Sequence, residues 1–349
     1  MVSNSLQYVM VRSAVERGLA KIKESPAREI RNLVDLGKMF AKSRTQNTFF
    51  NTAQRMLEDE NSAYYKLVEY IVRDTNTDML TQFGMNLGYN SLIHGAKVIR
   101  GLEAKQGFNI PWALITMLRD GSPLTPQDVF SLVEQSRALG IYSHLLLVQP
   151  DYPYIREVYD IMRGARENAF LVFLPAAMVS ESTADEILAA QNIGVFVDMP
   201  PEQPQVAKTA ATILKSKGIL CGGYAYHDGL TANEINADFF APALEAGLPM
   251  YCMIRRDGVH QLDNDDVYRR LTDFRKTLNI PVLPIDLYCD IAWLDSNVST
   301  QPTLVSIREN GTLHFYHEGV REMSTETFPH ISLRDALYKY MPKKMPATG

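Results

Sequence analysis

The sequence predicts an α/β protein with a helical extension in front and a β-hairpin behind, on three observations. Residues 1–107 carry apolar positions at helical spacing, with no strand-like run among them. After Gly107, six short apolar runs alternate with amphipathic segments. Near the end, two β-rich runs flank Asn310-Gly311.

In the first region Leu19, Ile22, Ile30, Leu33, Val34, Leu36, Met39 and Phe40 recur at the spacing of one helix face, with Lys, Arg and Glu between them. The stretch from Phe83 begins with a Gly- and Asn-rich turn, continues as a helix through Ile93 to Leu102, and stops at Gly107, a C-cap signal. The apolar runs of the middle region lie near 112–118, 144–149, 169–174, 193–198, 220–226 and 250–254. Helical segments follow them at 125–139, 153–166, 181–190, 202–217, 232–246 and 264–278. Strands alternating with helices imply βαβ units and a parallel sheet, either doubly wound or an open or closed barrel. Helix starts support the division: Thr125-Pro126-Gln127-Asp128 joins an N-cap, a proline and an acid, and Ser182-Thr183-Ala184-Asp185-Glu186 is a similar capping arrangement. Asn310-Gly311 within LVSIRENGTLHFYHEG is the clearest hairpin signal. The resulting units are 1–107 (helical), 108–285 (strand–helix alternation) and 286–349 (hairpin and closing helix).

The 349 residues are 46% hydrophobic and 21% charged, enough for a large core. With 35 Lys and Arg against 40 Asp and Glu, the formal charge is −5. That balance argues against nucleic acid as a partner. No basic n-region leads into an apolar core at the start, and no apolar run reaches a membrane span, so a cytoplasmic protein without membrane association is expected. Three scattered cysteines, Cys221, Cys252 and Cys289, make neither a disulfide framework nor a Cys-x-x-Cys pair, and read as reduced thiols. G-x-G-x-x-G, P-loop and G-x-S-x-G motifs are missing.

Several stretches in order resemble one family. GMNLGYNSLIHGAKVIRGLEAKQGFNIPWALITML is similar to the helix and first strand of radical S-adenosylmethionine (radical SAM) proteins, in the branch with an N-terminal helical extension. LTPQDVFSLVEQSRALGIYSHLLLVQPDYP resembles their first helix and second strand, and LVSIRENGTLHF followed by HISLRDALY resembles a SPASM-like C-terminal hairpin and closing helix. The resemblance spans residues 80–340 and implies a partial (β/α)6 TIM barrel with its site at the strand ends. The departures from the family are specific. Its first loop carries Cys-x-x-x-Cys-x-x-Cys, whose thiolates hold a [4Fe–4S] cluster; here that loop is Arg119-Asp120-Gly121-Ser122. Its Gly-Gly-Glu-Pro turn is replaced by Val148-Gln149-Pro150-Asp151. A degenerate member follows, with no cofactor: no cluster and no family-type SAM binding.

Barrel logic puts candidate groups at strand C-termini: Arg119 and Asp120; Gln149, Asp151 and Tyr152; Asp198; Tyr224, Tyr226, His227 and Asp228; Arg255, Arg256 and Asp257. For each, turn chemistry or mutual ion pairing is the plain structural alternative. His227 is the sharpest catalytic candidate, with Asp198 to orient its ring. No His-x-His or His-Glu-x-x-His spacing supports a metal site. Of Arg255 and Arg256, adjacent on a strand, at most one faces a pocket; it would hold a carboxylate or phosphate. His314 and His317 fall on opposite strand faces. Two functions follow: a pseudoenzyme that binds or regulates a partner, such as a cluster-bearing relative, or a cluster-independent enzyme or small-molecule binder using the charged strand ends. The sequence leaves the oligomeric state open.

Overall fold

Helical spacing in the first third becomes a helical bundle. The computed structural model describes residues 5–22, 24–40, 44–256, 261–299, 303–317 and 320–343. Helices α1 (Leu6–Ile22), α2 (Pro26–Phe40), α3 (Arg44–Met56), α4 (Ala63–Asp74) and α5 (Thr77–Gly84) come first. A π-helix, Met85–Gly95, and α6 (Ala96–Gln106) then run on without a break to Gly107, whose φ of 73° is the expected left-handed stop. The Gly- and Asn-rich turn expected after Phe83 is therefore this π-helix. Its Asn residues face the sheet: the Asn86 amide donates to the carbonyls of Arg166 and Asn168 at 2.8 and 2.7 Å, and Asn90 to that of Glu167 at 2.9 Å.

The strand–helix alternation follows as β1 (Ala113–Leu118), α7 (Pro126–Ala138), β2 (Ser143–Val148), α8 (Ile155–Gly164), β3 (Ala169–Leu174), α9 (Glu181–Ala190), β4 (Ile193–Asp198), α10 (Pro204–Ser216) and β5 (Cys221–His227). It continues with α11 (Ala241–Glu245), β6 (Met250–Arg255), α12 (Gln261–Lys276), β7 (Leu283–Asp286), α13 (Leu287–Val298) and β8 (Thr303–Ile307). The chain ends with β9 (Thr312–His317), β10 (Val320–Thr327) and α14 (Leu333–Tyr340). All ten strands form one sheet, ordered β10-β9-β8-β1-β2-β3-β4-β5-β6-β7.

The sheet is mostly parallel, as expected, but the parallel part is longer. Strands β1 to β7 pair in sequence, and β8 pairs β1 parallel through Leu114↔Val305 to Thr116↔Ile307. The parallel part thus runs β8-β1-β2-β3-β4-β5-β6-β7, eight strands where six were expected. Among the described residues, β7 and β8 share no ladder. The two extra strands escaped the sequence for different reasons. β7 is four residues around Pro284, too short to show a pattern, and β8 reads locally as one arm of the Asn310-Gly311 hairpin, which it also is. The hairpin thus extends the parallel sheet, with a third strand, β10, at its edge.

Two further expectations are corrected. The helix expected over 232–246 is two 3-10 turns and the short α11: Thr231 and Glu234 close one turn as a capping box, and the Asn236 side chain caps the next at Phe239. The cap of α9 is Ser180, whose Oγ accepts the Thr183 N–H, and not Ser182. The capping box at Thr125 and Asp128 is present as expected.

Registers decide which side chains share a face. One face of the sheet carries an aromatic column. Phe173 and Phe196 stack 5.0 Å apart, Tyr224 meets Phe173 edge-on at 5.5 Å, and Tyr226 meets Tyr224 edge-on at 5.8 Å. Each such buried ring contributes roughly 1.5–3 kcal/mol. Gly222 lies on the same face because a Cβ there would stand 2.6 Å from the Phe196 ring. Cys221-Gly222-Gly223 is therefore strand interior and no phosphate loop.

Candidate binding site at the C-terminal end of the sheet

Asp198 pairs Tyr224, Tyr226 pairs Ile254, and His227 pairs Arg255. Side chains alternate along a strand, so Asp198, Tyr224 and Tyr226 share one face while His227 and Arg255 lie on the other. Tyr226 identifies the concave face. Gln149, just past β2, and the charge of Arg308, just past β8, both act to lower the pKa of the Tyr226 hydroxyl. Neither strand adjoins β5 in the sheet, so both influences reach Tyr226 from beyond its neighbouring strands.

The mouth is thus a layer from alternate strands: Gln149 after β2, Asp198 at the end of β4, Arg256 after β6 and Arg308 after β8. Tyr226 stands among them. The Arg256 guanidinium lies over its ring, 4.9 Å from the centroid. Burial pushes the Tyr226 hydroxyl up, while Gln149, Arg256 and Arg308 oppose that rise. Each arginine also has a carboxylate: Arg256 Nε lies 3.2 Å from Asp228, and Arg308 Nε lies 3.4 Å from Glu309. Asp198 Oδ1 accepts the Ala176 N–H at 2.5 Å, which ties it to the chain after β3.

The turns after β1 and β2 are stitched together. Gln149 N–H donates to the Leu118 carbonyl at 2.8 Å, and Asp120 N–H to Asp151 Oδ1 at 3.2 Å. The β1 turn closes on itself through Ser122 N–H to the Arg119 carbonyl at 3.2 Å, with Gly121 at φ 70°, a conformation that favours glycine. Arg119 itself is exposed.

His227 is not in this layer. Its ring is buried on the opposite face, and neither nitrogen has a hydrogen-bond partner among the described residues. Burial and Arg255 push its pKa down, against Asp228, so the neutral ring is favoured. Asp198 lies on the other face and does not orient it, which corrects the expected pairing. Arg255 is likewise outside the mouth, 5.9 Å over the Tyr288 ring and near the buried Asp286. Of the adjacent arginines, Arg256 faces inward. Asp257 lies outside the described residues. Tyr152 is buried, its hydroxyl 3.5 Å from the Leu124 carbonyl and pushed up to about 12 by burial. His314 and His317 fall on opposite faces, with His314 Nδ1 2.9 Å from Arg321.

Sequence reasoning missed Arg308. It sits beside the hairpin turn, and only the parallel β1–β8 ladder reveals it as a strand C-terminus.

None of the cysteines lies at the mouth turn. Cys221 and Cys252 are buried in β5 and β6. Burial pushes the Cys221 thiol up to about 12 and the Cys252 thiol well above its ordinary value, opposing thiolate formation at both. Cys289, hard to assign from sequence, lies in the first turn of α13, where its N–H bonds the N-cap Asp286 at 2.8 Å. Among the described residues no group of three His, Cys, Asp or Glu is arranged to hold a metal. No helix among them is long and apolar enough to cross a membrane.

No protein-family model matches the chain, and no curated protein matches it. Solved structures overlap it slightly. A mutant tryptophan synthase α-subunit from Pyrococcus furiosus gives a TM-score of 0.39 at 13% identity, over 56% of this chain and 87% of its own. The type I 3-dehydroquinate dehydratase of Clostridium difficile gives 0.35 at 10% identity, over 50% and 74% of the two chains. The tryptophan synthase α chain of Legionella pneumophila gives 0.34 at 12%, over 55% and 75%. Overlaps this slight carry nothing about activity, and the fold rests on the strand order.

Proposed function

We propose that this chain is a radical-SAM-like barrel that works without a cluster, as a binding protein for a small molecule held at its C-terminal mouth. The carrying observation is the Arg256 guanidinium over the Tyr226 ring, with Gln149 and the charge of Arg308 also acting on its hydroxyl. The site lacks the parts of an acid–base enzyme. Its histidine candidate lies on the far face, and Asp198 is already engaged by a backbone N–H. The residues present do not fit a [4Fe–4S] cluster: the turn after β1 has no thiolate donors and closes on its own hydrogen bonds.

Native mass spectrometry of the chain purified anaerobically from its own host tests this reading. A small-molecule adduct on wild type that is lost from Tyr226→Ala supports it. An adduct that survives the change removes the mouth from consideration. Iron and sulfide analysis after anaerobic reconstitution tests the cluster-free part, and a stoichiometric cluster would overturn it.

The pseudoenzyme reading, with a protein partner such as a cluster-bearing relative, has its own observation. On α1, Leu6, Val9 and Met10 form an exposed apolar stripe at helical spacing, 78%, 53% and 59% accessible. Co-purification of a second protein, abolished by Val9→Glu with Met10→Glu, is the expected result under that reading.

A further inference from the structure

The exposed side of α1 is apolar in its first half and cationic in its second. The opposite side, with Tyr8, Val11, Gly18, Leu19 and Ile22 buried, packs against α2 and α5. A Cβ on Gly18 would stand 2.5 Å from Leu33, so α1 and α2 lie close, and Arg12 Nη1 donates to Gln82 Oε1 at 2.9 Å. The helix is thereby held along the body of the protein with one side free. Leu6, Val9 and Met10 open that side, 78%, 53% and 59% accessible, and the exposed Arg17 and Lys21 continue it. Glu16, the acid beside them, is paired with Arg12 at 2.9 Å, while neither Arg17 nor Lys21 has a salt bridge among the described residues. The surrounding sequence carries the same sign: residues 1–56 hold ten Lys and Arg against four Asp and Glu, in a chain whose total is −5.

These features narrow what covers the stripe. Three apolar side chains fall far short of the roughly 800 Å² that each partner of a standard protein interface buries. A second copy of this chain is disfavoured further, because two cationic faces repel. An anionic bilayer needs less area: single apolar side chains enter the headgroup region, and neighbouring cations meet lipid phosphates.

We propose that α1 docks this chain on the surface of an anionic membrane, with Leu6, Val9 and Met10 entering the headgroup layer and Arg17 and Lys21 facing its phosphates. This goes beyond the small-molecule reading and does not depend on it. It departs from the expectation of no membrane association, which rested on the absence of a span; surface docking needs none.

The test is co-sedimentation of the full chain with vesicles of phosphatidylcholine, either alone or with about one part in three of phosphatidylglycerol. Wild type is compared with Val9→Glu/Met10→Glu, with Arg17→Ser/Lys21→Ser, and with Phe130→Ser, which removes an exposed apolar side chain from α7 instead. Each protein is first shown to melt within a few degrees of wild type, and Met10→Ser replaces the double glutamate change if that fails to fold. The proposal expects binding to the anionic vesicles alone, weakened by sodium chloride, reduced about tenfold or more in both α1 variants and kept in Phe130→Ser. No binding to the anionic vesicles, binding equal in all four proteins, or a loss as large in Phe130→Ser overturns it. Equal binding to vesicles without phosphatidylglycerol overturns it too. A protein that co-purifies with wild type and is lost from Val9→Glu/Met10→Glu, while wild type binds no vesicle, assigns the stripe to a protein partner and likewise overturns it.

Discussion

The two ends of the parallel sheet hold equally polar side chains and use them in opposite ways. At the N-terminal end they are buried and committed to backbone. Asp295 Oδ1 accepts the Trp112 N–H at 3.0 Å, while its Oδ2 accepts the Thr303 N–H and hydroxyl at 2.6 and 2.7 Å. Glu103 accepts the Ile110 N–H at 3.0 Å and Ser299 Oγ at 2.8 Å, and the Asn192 amide donates to the Met162 and Ala165 carbonyls. At the C-terminal end, Gln149, Asp198 and Tyr226 are half-buried, and Arg256 is exposed. There Asp198 still accepts a backbone N–H, while Arg256 lies over the Tyr226 ring and pairs with the side chain of Asp228. The first arrangement closes the fold, because each side chain satisfies backbone groups that burial would otherwise strand. The second leaves hydrogen-bonding capacity directed at a common space, which is what binding needs.

If that contrast is sound, damage at the N-terminal end falls on stability. Asp295→Ala strands three donors at once and is expected to lower unfolding free energy by about 3–5 kcal/mol, read from urea midpoints. Asn86→Ala, which frees the carbonyls of Arg166 and Asn168, is expected to lower it by about 2 kcal/mol. Values under about 0.5 kcal/mol for both would erase the distinction between the ends.

Two buried titratable groups at the same end sharpen the comparison through pH. Burial depresses the pKa of His144, held beside Asn168 and stacked on Phe170, to about 3. Its contribution is present above its unfolded value near 6.5 and is lost as pH falls from there toward 3. Burial raises Asp295 to about 7 against its three hydrogen bonds. Its contribution is full below an unfolded value of about 3.9 and is lost as pH rises through 7. The two oppose each other between these limits, so single variants must separate them. Between pH 6.5 and 4, the urea-derived stability of His144→Gln should fall less than that of wild type, by about 2–3 kcal/mol. Over the same range Asp295→Asn should fall more than wild type, and the reverse order would contradict both assignments.

How much of this was legible in sequence follows from the range of each signal. The alternation after Gly107, the Thr125 capping box and the Asn310-Gly311 hairpin are local patterns, and each has its expected counterpart. The π-helix was not legible, because Asn86 and Asn90 read as turn formers until their amides are seen to meet carbonyls at 166–168, about eighty positions away. The mouth was half legible. Gln149, Asp198 and Tyr226 follow from strand ends, but Arg308 depends on β8 pairing β1, a contact about two hundred residues apart in sequence. His227 misled for a simpler reason: it shares a strand end with Tyr226, and a shift of one residue exchanges the concave face for the covered one.

The smallest expected effects test whether the mouth is a built site or only a positive region. Tyr226→Phe removes one hydroxyl from a half-buried ring and is expected to change stability by less than about 1 kcal/mol while weakening retention of the small-molecule adduct. Arg119→Ala goes further toward zero. Arg119 carries the same charge as Arg308 and follows the neighbouring strand, but it is exposed in the turn after β1. A site made of fixed contacts ignores such a charge, because solvent screens it. Native mass spectrometry should therefore find the small-molecule adduct on Arg119→Ala at a level within about twofold of wild type. A loss matching that of Tyr226→Ala would mean that the general field of the strand ends, and not the contact of Arg256 with Tyr226, holds the small molecule, and the contrast between the two ends would reduce to one of net charge.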